Sequence, residues 1–158
     1  MRKFLALLLY RVSLPCLFIA AFPAWVVKML RRGGLHTPLG ERIAIYGTDT
    51  ETEPCGAIHI HAVSVGETII ALKLIREWLL QNPQQPFVLA TGTATGHAVA
   101  TSAALAQVRV AYSPLDFASM VARYLKRFEP SRIVLIEGEL WPHLLMACRK
   151  RSIPVSLV

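Results

Sequence analysis

Ile58-His59-Ile60-His61-Ala62-Val63-Ser64-Val65-Gly66-Glu67 is an apolar, β-branched run that passes through a small turn into a segment of helical period. The run reads as a strand and the segment after it as an amphipathic helix, so Glu67 is delivered to a helix start directly behind a strand. In an open parallel α/β sheet the ligand crevice lies outside the carboxyl ends of the strands. That placement makes Glu67 a candidate general base.

Outward from this stretch the same alternation repeats. Strands are expected at Ile58–Val63, Phe87–Thr91, Val108–Tyr112, Ile133–Ile136 and Pro154–Val158, separated by helical segments at Gly66–Leu80, Thr95–Ala106, Asp116–Phe128 and Glu139–Lys150. Strict alternation of strand and helix implies βαβ crossovers, and hence an α/β, Rossmann-like parallel sheet of about five strands with flanking helices. In the first helix Ile69, Ile70, Leu72, Leu74 and Ile75 lie largely on one side, with Lys73, Arg76 and Glu77 opposite. Asp116 stands where it would cap the third helix, whose last turn carries Lys126 and Arg127 to complement the dipole. Residues 33–57, rich in Gly, Pro, Thr and acidic side chains, read as a linker. The domain proper is expected over residues 58–158.

The formal net charge is +7, but residues 1–32 hold Arg2, Lys3, Arg11, Lys28, Arg31 and Arg32 and no acid, leaving 11 basic and 10 acidic side chains elsewhere. The excess is therefore local to an apolar segment, which suits anionic membrane lipids and not nucleic acid. From Phe4 to Leu30 nearly every residue is apolar, broken by Arg11, Pro15 and Pro23; the longest uncharged run, Val12–Val27, has 16 residues, short of the ~20 of an upright crossing. An anchor lying in one leaflet is favoured over a crossing, and Lys28, Arg31 and Arg32 place the downstream domain on the cytoplasmic side. Cys16, Cys55 and Cys148 form no Cys-x-x-Cys pair, so neither a disulfide framework nor a zinc site is indicated. Cys148 reads as a small core residue.

If the strands are parallel, the residues just after each of them share one rim. They are Ser64-Val65-Gly66-Glu67, Thr91-Gly92-Thr93-Ala94-Thr95-Gly96-His97, Ser113-Pro114-Leu115-Asp116 and Glu137-Gly138-Glu139. Hydroxyl- and glycine-rich turns that open helices offer N–H donors to phosphate or sugar hydroxyls, and Thr93, Thr95 and Asp116 read equally well as plain helix caps. Two carboxylates, Glu67 and Glu137, can divide proton acceptance from stabilisation of positive charge; the bland alternative sets Glu67 against its own helix dipole. His59 and His61 share a strand face with no third ligand, and neither Gly-x-Gly-x-x-Gly nor Gly-Lys-Ser/Thr is present, so no metal or nucleotide cofactor is expected.

Together the 58–67 stretch, the turn through Thr95-Gly96, Tyr112-Ser113-Pro114-Leu115-Asp116 and Glu137-Gly138-Glu139-Leu140-Trp141-Pro142 resemble the 3-deoxy-D-manno-octulosonic acid (Kdo) transferases in order and spacing. Gly40-Glu41-Arg42 and the basic, apolar N-terminus are similar to that family as well. The resemblance implies a two-domain GT-B glycosyltransferase on the cytoplasmic face of the bacterial inner membrane. Such an enzyme transfers Kdo from CMP-Kdo to the lipid A precursor, with inversion and without a DxD-bound metal. By position, Glu67 matches the family's proton acceptor and Glu137 its transition-state stabiliser. The expected substrate-binding residues are Ser64, Gly66, Thr93, Thr95, Gly96, Asp116, Glu139 and Trp141. The chain departs from the family at Ala90 and Ala94, which replace a hydroxyl and a proline, at Gly138 in place of a Thr, and at His143 in place of an Asn. It stops before the family's Asn-Ala-Arg-Leu-Ser segment, so the expectation is the acceptor-binding half alone, without turnover. The alternative is a non-catalytic, membrane-associated module that binds an acidic glycolipid; a free-standing Rossmann-like enzyme is weakened by the missing dinucleotide fingerprint.

Overall fold

A computed structural model describes residues 2–31, 39–46, 56–138 and 140–158, and the chain divides into two units, residues 1–38 and 39–158. The first unit holds helix α1, Arg2–Arg31, which runs on through Pro15 and Pro23 although each ring removes an amide from the helical ladder. The uncharged run is 16 residues, but a continuous helix extends the apolar window across Arg11 to Leu8–Val27, long and apolar enough to cross a membrane. Leu9, Val12, Leu17 and Ile19 are exposed along it, so the helix buries no core of its own.

The second unit is the expected α/β sheet. Its elements are α2 (Leu39–Arg42), β1 (Ile58–Ala62), α3 (Val65–Gln81), β2 (Phe87–Thr91), α4 (Ala94–Ser102), β3 (Val108–Tyr112), α5 (Ala118–Phe128), β4 (Arg132–Leu135), α6 (Pro142–Lys150) and β5 (Val155–Leu157). All neighbouring strands pair in parallel, in the order β3-β2-β1-β4-β5. Chain order thus runs outward in both directions from β1 and reverses between β1 and β4, where the crevice of such a sheet opens.

Strands β1 to β4 lie between two cores because successive side chains point to opposite faces. Ile58, Ile60, Phe87, Leu89 and Val134 pack under Ala71, Leu72 and Ile75 of α3 and Ala100 of α4. Val88, Ala90, Ala111, Ile133 and Leu135 pack under Val121, Tyr124, Leu125 and Phe128 of α5 and Leu144 and Cys148 of α6. Cys148 is fully buried, as a core residue should be, and burial pushes its thiol up to about 11, against a smaller opposing pull from Arg151.

Two differences from the sequence reading bear on the rim. Within the expected linker, residues 39–46 are packed onto the sheet domain: Glu41 Oε2 accepts the Tyr112 amide at 3.0 Å and Arg42 Nη1 donates to the Gly92 carbonyl at 2.7 Å. This clasp covers the open edge of β3, where an unpaired amide would otherwise face solvent. Residues 32–38 and 47–55 of that linker lie outside the described residues. The second difference concerns Asp116, which does not cap α5. That helix starts at Ala118 with Phe117 as N-cap and no side-chain bond. The Asp116 carboxylate instead caps α6, accepting the amides of His143 and Leu144, each at 2.9 Å.

Candidate functional site

The first rim turn is built around a capping box. Ser64, in extended conformation, accepts the Glu67 amide at 3.2 Å, and Glu67 reaches back with Oε1 to the Ser64 amide at 3.3 Å. Its Oε2 accepts the Val63 amide at 2.8 Å. Glu67 is thus buried to 8% exposure with each carboxylate oxygen already on one N–H, which leaves a lone pair on each for a further donor. Helix capping and a chemical role are compatible in one residue, because the box orients the carboxylate as it satisfies the helix end. Gly66 is exposed, and a Cβ there would meet the Ser64 hydroxyl only at 3.8 Å, so space does not demand glycine.

The second turn repeats the device more simply. Thr93 accepts the Gly96 amide at 3.1 Å, and the exposed Thr95 hydroxyl contacts Thr93 Oγ1 at 3.4 Å. Two glycines weld this turn to the first. A Cβ on Gly92 would sit 2.6 Å from Val63 Cγ1, and one on Gly96 3.0 Å from the Thr68 and Thr93 hydroxyls. Close approach at Gly96 brings the N-termini of α3 and α4 side by side, their positive ends on one rim.

Glu137 follows β4 across the switch point. Ile136 donates its amide to the His61 carbonyl at 3.1 Å, which seats the Glu137 turn beside the end of β1 and so beside the turn that carries Glu67. Glu137 is exposed, has a left-handed φ of 58°, and donates its amide to the Val158 carbonyl at 2.8 Å. A non-glycine residue in this region carries backbone strain of order 1–2 kcal/mol. Glu139 lies outside the described residues.

Between these turns a cavity of about 140 Å³ opens. It is bounded by Val63 and Gly92 from the first two turns, Ser113, Pro114 and Asp116 from the third, Trp141 just before α6 and Leu144 within it, with His61 among the lining residues. Of the expected site residues it brings together Asp116 and Trp141; neither Glu67 nor Glu137 lines it. Both oxygens of Asp116 are engaged by the α6 amides, and its carbonyl accepts His143 Nδ1. Desolvation pushes His61 down to about 4 and His59 to about 3, the latter helped by its neighbour His61, so both rings are neutral at pH 7. His59 Nδ1 shares a 2.8 Å bond with the Tyr124 hydroxyl. Among the described residues no three His, Cys, Asp or Glu side chains gather as a metal site.

The sequence reading missed the part played by Arg42. Its guanidinium lies 4.0 Å over the Tyr112 ring, which stacks on His97 at 4.3 Å, while Nη1 holds the Gly92 carbonyl. The second turn is therefore tied down from 50 residues upstream. Gly40-Glu41-Arg42 stood out as a motif, but nothing local in it names Tyr112 or Gly92 as partners.

Residues 37–158 match the sequence model of the family described as 3-Deoxy-D-manno-octulosonic-acid transferase (kdotransferase). The chain belongs to the Kdo transferase family. It is 32% identical over 143 residues to the 3-deoxy-D-manno-octulosonic acid transferase of Bordetella pertussis, covering 85% of this chain and 32% of that protein. It is 34% identical over 116 residues to the Haemophilus influenzae protein of the same name, covering 73% of this chain and 27% of the relative. A probable mitochondrial relative of that name from Arabidopsis thaliana is 31% identical over 114 residues, 72% of this chain and 26% of that one. The chain thus spans about a third of the length of the Kdo transferases it matches. The matched region includes the rim turns of Glu67 and Glu137, the clasp of Glu41 and Arg42, and the Asp116 cap of α6.

Proposed function

We propose that this chain forms the acceptor-binding, base-carrying part of a Kdo transferase of GT-B architecture. In that reading Glu67 takes the proton from a hydroxyl of the lipid A precursor. The oxygen attacks the anomeric carbon of Kdo, the bond to the CMP phosphate breaks with inversion, and CMP departs. Glu137 stabilises the positive charge that develops on the sugar ring. Binding of CMP-Kdo is assigned to the remainder of a full-length family member, which closes on this rim. No metal or other cofactor is invoked. Helix α1 is assigned to the bacterial inner membrane, with Lys28, Arg31 and Arg32 among anionic lipid headgroups on the cytoplasmic face. Residues 1–32 then serve as the anchor, and the sheet domain presents its rim to a lipid-borne acceptor. Ser64, Gly66, Thr93, Thr95, Gly96, Glu139 and Trp141 are assigned to acceptor contacts, the first five at the paired starts of α3 and α4.

The observation that carries this reading is the seating of the Glu67 and Glu137 turns next to one another at the strand-order reversal, tied by the Ile136 amide on the His61 carbonyl. One observation favours the second reading, a glycolipid-binding module without catalysis: both oxygens of Glu67 already accept backbone N–H groups. A chimera decides between them, joining residues 1–158 to the part of the Haemophilus influenzae relative that lies beyond the matched region. Kdo transfer from CMP-Kdo to lipid A precursor is expected, and Glu67→Gln should lower the rate by ~10²–10⁴. Near-unchanged turnover in that variant returns Glu67 to capping alone.

A further inference from the structure

The outward faces of two rim helices are banded. Hydrophobic periodicity assigns Ile69 and Ile70 to the core side of α3, opposite Lys73 and Arg76. The helix instead buries Glu67, Thr68, Ala71, Leu72 and Ile75 and turns both isoleucines outward, 45% and 42% exposed. Ile69, Ile70, Lys73 and Arg76 thus form one solvent-facing stripe. It opens with two β-branched apolar side chains directly beyond Glu67 and turns cationic four to seven residues later, roughly 5–10 Å further from the rim at about 1.5 Å per residue. Helix α6 repeats the order. Leu140 and Trp141, exposed just before it, and Met146 in its second turn precede Arg149 and Lys150, exposed in its last. Both helices follow strands of one parallel sheet, so both run away from the rim, and they cover opposite faces of that sheet. Among the described residues, Glu77 is the one acid on the two stripes. A single exposed apolar side chain needs no explanation, but apolar side chains at one end of the domain with cations behind them on both faces do.

We infer that the rim end of the sheet domain seats in an anionic bilayer interface, with Ile69, Ile70, Leu140, Trp141 and Met146 below the headgroups and Lys73, Arg76, Arg149 and Lys150 level with the lipid phosphates. Amphipathic elements at such an interface bury their apolar side chains by roughly 5–10 Å, which matches the distance between the two bands on α3. An indole favours that depth, and the long stems of lysine and arginine let their charges reach the phosphates. An acidic protein or a nucleic acid would complement the cations and leave the apolar ends in water; a bilayer interface is layered in the same order as the helices. The crevice between the Glu67 and Glu137 turns then opens at headgroup level, where the sugars of a lipid-borne acceptor lie. The proposal rests on the reading of α1, long and apolar enough to cross a membrane, as the anchor, and adds a second membrane contact made by the sheet domain itself.

The test uses the full chain, methyl-labelled at Ile, Leu and Met, in nanodiscs of phosphatidylethanolamine and phosphatidylglycerol with a paramagnetic label on the upper acyl chain. Ile19 of α1 reports the anchor. Leu80, 77% exposed near the far end of α3, reports an apolar side chain on the same stripe beyond the cations. Ile69, Ile70 and Met146 should broaden with Ile19, at least threefold more than Leu80. Each cation close to an anionic leaflet is worth about a fivefold preference. Lys73→Glu with Lys150→Glu, both exposed, should therefore cut the broadening at Ile69 and Met146 at least threefold and leave the unfolding midpoint unchanged. Ile70→Ser, read at Ile69, should also reduce it and serves where the charge reversal disturbs the fold. Broadening of Ile19 without Ile69, Ile70 and Met146 overturns the proposal and leaves the anchor standing; no broadening of Ile19 overturns both. Equal broadening at Leu80, or none of the expected loss in the folded variants, also overturns the proposal. Shifts of Ile69 and Met146 with protein concentration in detergent micelles assign the patch to a second copy, which overturns it as well. None of these readouts depends on Kdo transfer, so the transferase reading stands or falls separately.

Discussion

Helices α3 and α6 both begin on the rim, each shortly after a strand and each beside a candidate carboxylate, yet their ends are satisfied in opposite ways. The start of α3 is self-contained: Ser64 and Glu67 cap one another within four residues. The start of α6 has no cap of its own, since Trp141 makes no side-chain bond there, and its amides are taken by Asp116 from 27 and 28 positions earlier. A local cap secures one turn whatever the rest of the fold does. A distant cap makes the α6 turn, with Trp141 and the preceding Glu137, depend on the β3–α5 connection being in place.

The largest expected effect follows from that dependence. Asp116→Ala strands the amides of His143 and Leu144 in a buried setting and should cost about 3 kcal/mol in urea unfolding, since each unsatisfied buried donor costs roughly 1–3 kcal/mol. Asp116→Asn, which keeps one acceptor, should cost less. A loss under about 0.5 kcal/mol for Asp116→Ala would mean that α6 does not rely on the distant cap.

Of similar size is the pH response of the strand that joins the two turns. His59 and His61 lie on the β1 face toward α5, packed edge-on to Tyr124 and, for His59, also to Phe128. Burial holds both rings below the ordinary value of about 6.5, so the unfolded chain binds protons that the folded chain refuses. The stability conferred by the neutral rings is fully present above about pH 6.5. It falls as pH drops toward about 4, by on the order of 3 kcal/mol for His61 alone. Thermal melts between neutral pH and mild acid should show the slope, and His61→Phe should flatten it; an unchanged slope in that variant assigns the acid sensitivity elsewhere.

The same contrast explains what could be read from sequence. β2 and β3 fall on the expected residues, and β1, β4 and β5 within one residue of them at each end, because a short β-branched run bounded by polar or glycine turns is a local signal. Helix α4 ends at Ser102 and not near Ala106 because the chain turns back through Ala104 at a φ of 48°, which an alanine-rich stretch does not announce. The expectation that Asp116 caps α5 applied the local rule where a non-local partner prevails, and the same rule put the start of α6 at Glu139 instead of Pro142. The gathering of Ser64, Thr93 and Glu67 on one rim followed from parallel topology alone. The clasp of Arg42 on Gly92 and the cavity lined by His61 and Ser113 required three-dimensional neighbours.

The smallest effect on stability carries the sharpest distinction at α3. Ser64→Ala removes the acceptor for the Glu67 amide and should cost about 1 kcal/mol, the usual worth of an N-cap. Glu67→Gln should cost a similar ~1 kcal/mol, because its carbonyl oxygen still accepts one amide while its NH2 group leaves the other, of Val63 or Ser64, without an acceptor. The substitution thus keeps part of the cap and removes the base. If Glu67 were only a cap, the glutamine variant of an active chimera would lose about that much stability and keep the parent's rate. If the cap exists to aim a base, the stability loss is the same and the rate collapses. Glu67→Ala cannot separate the two cases, since it removes the cap and the carboxylate together.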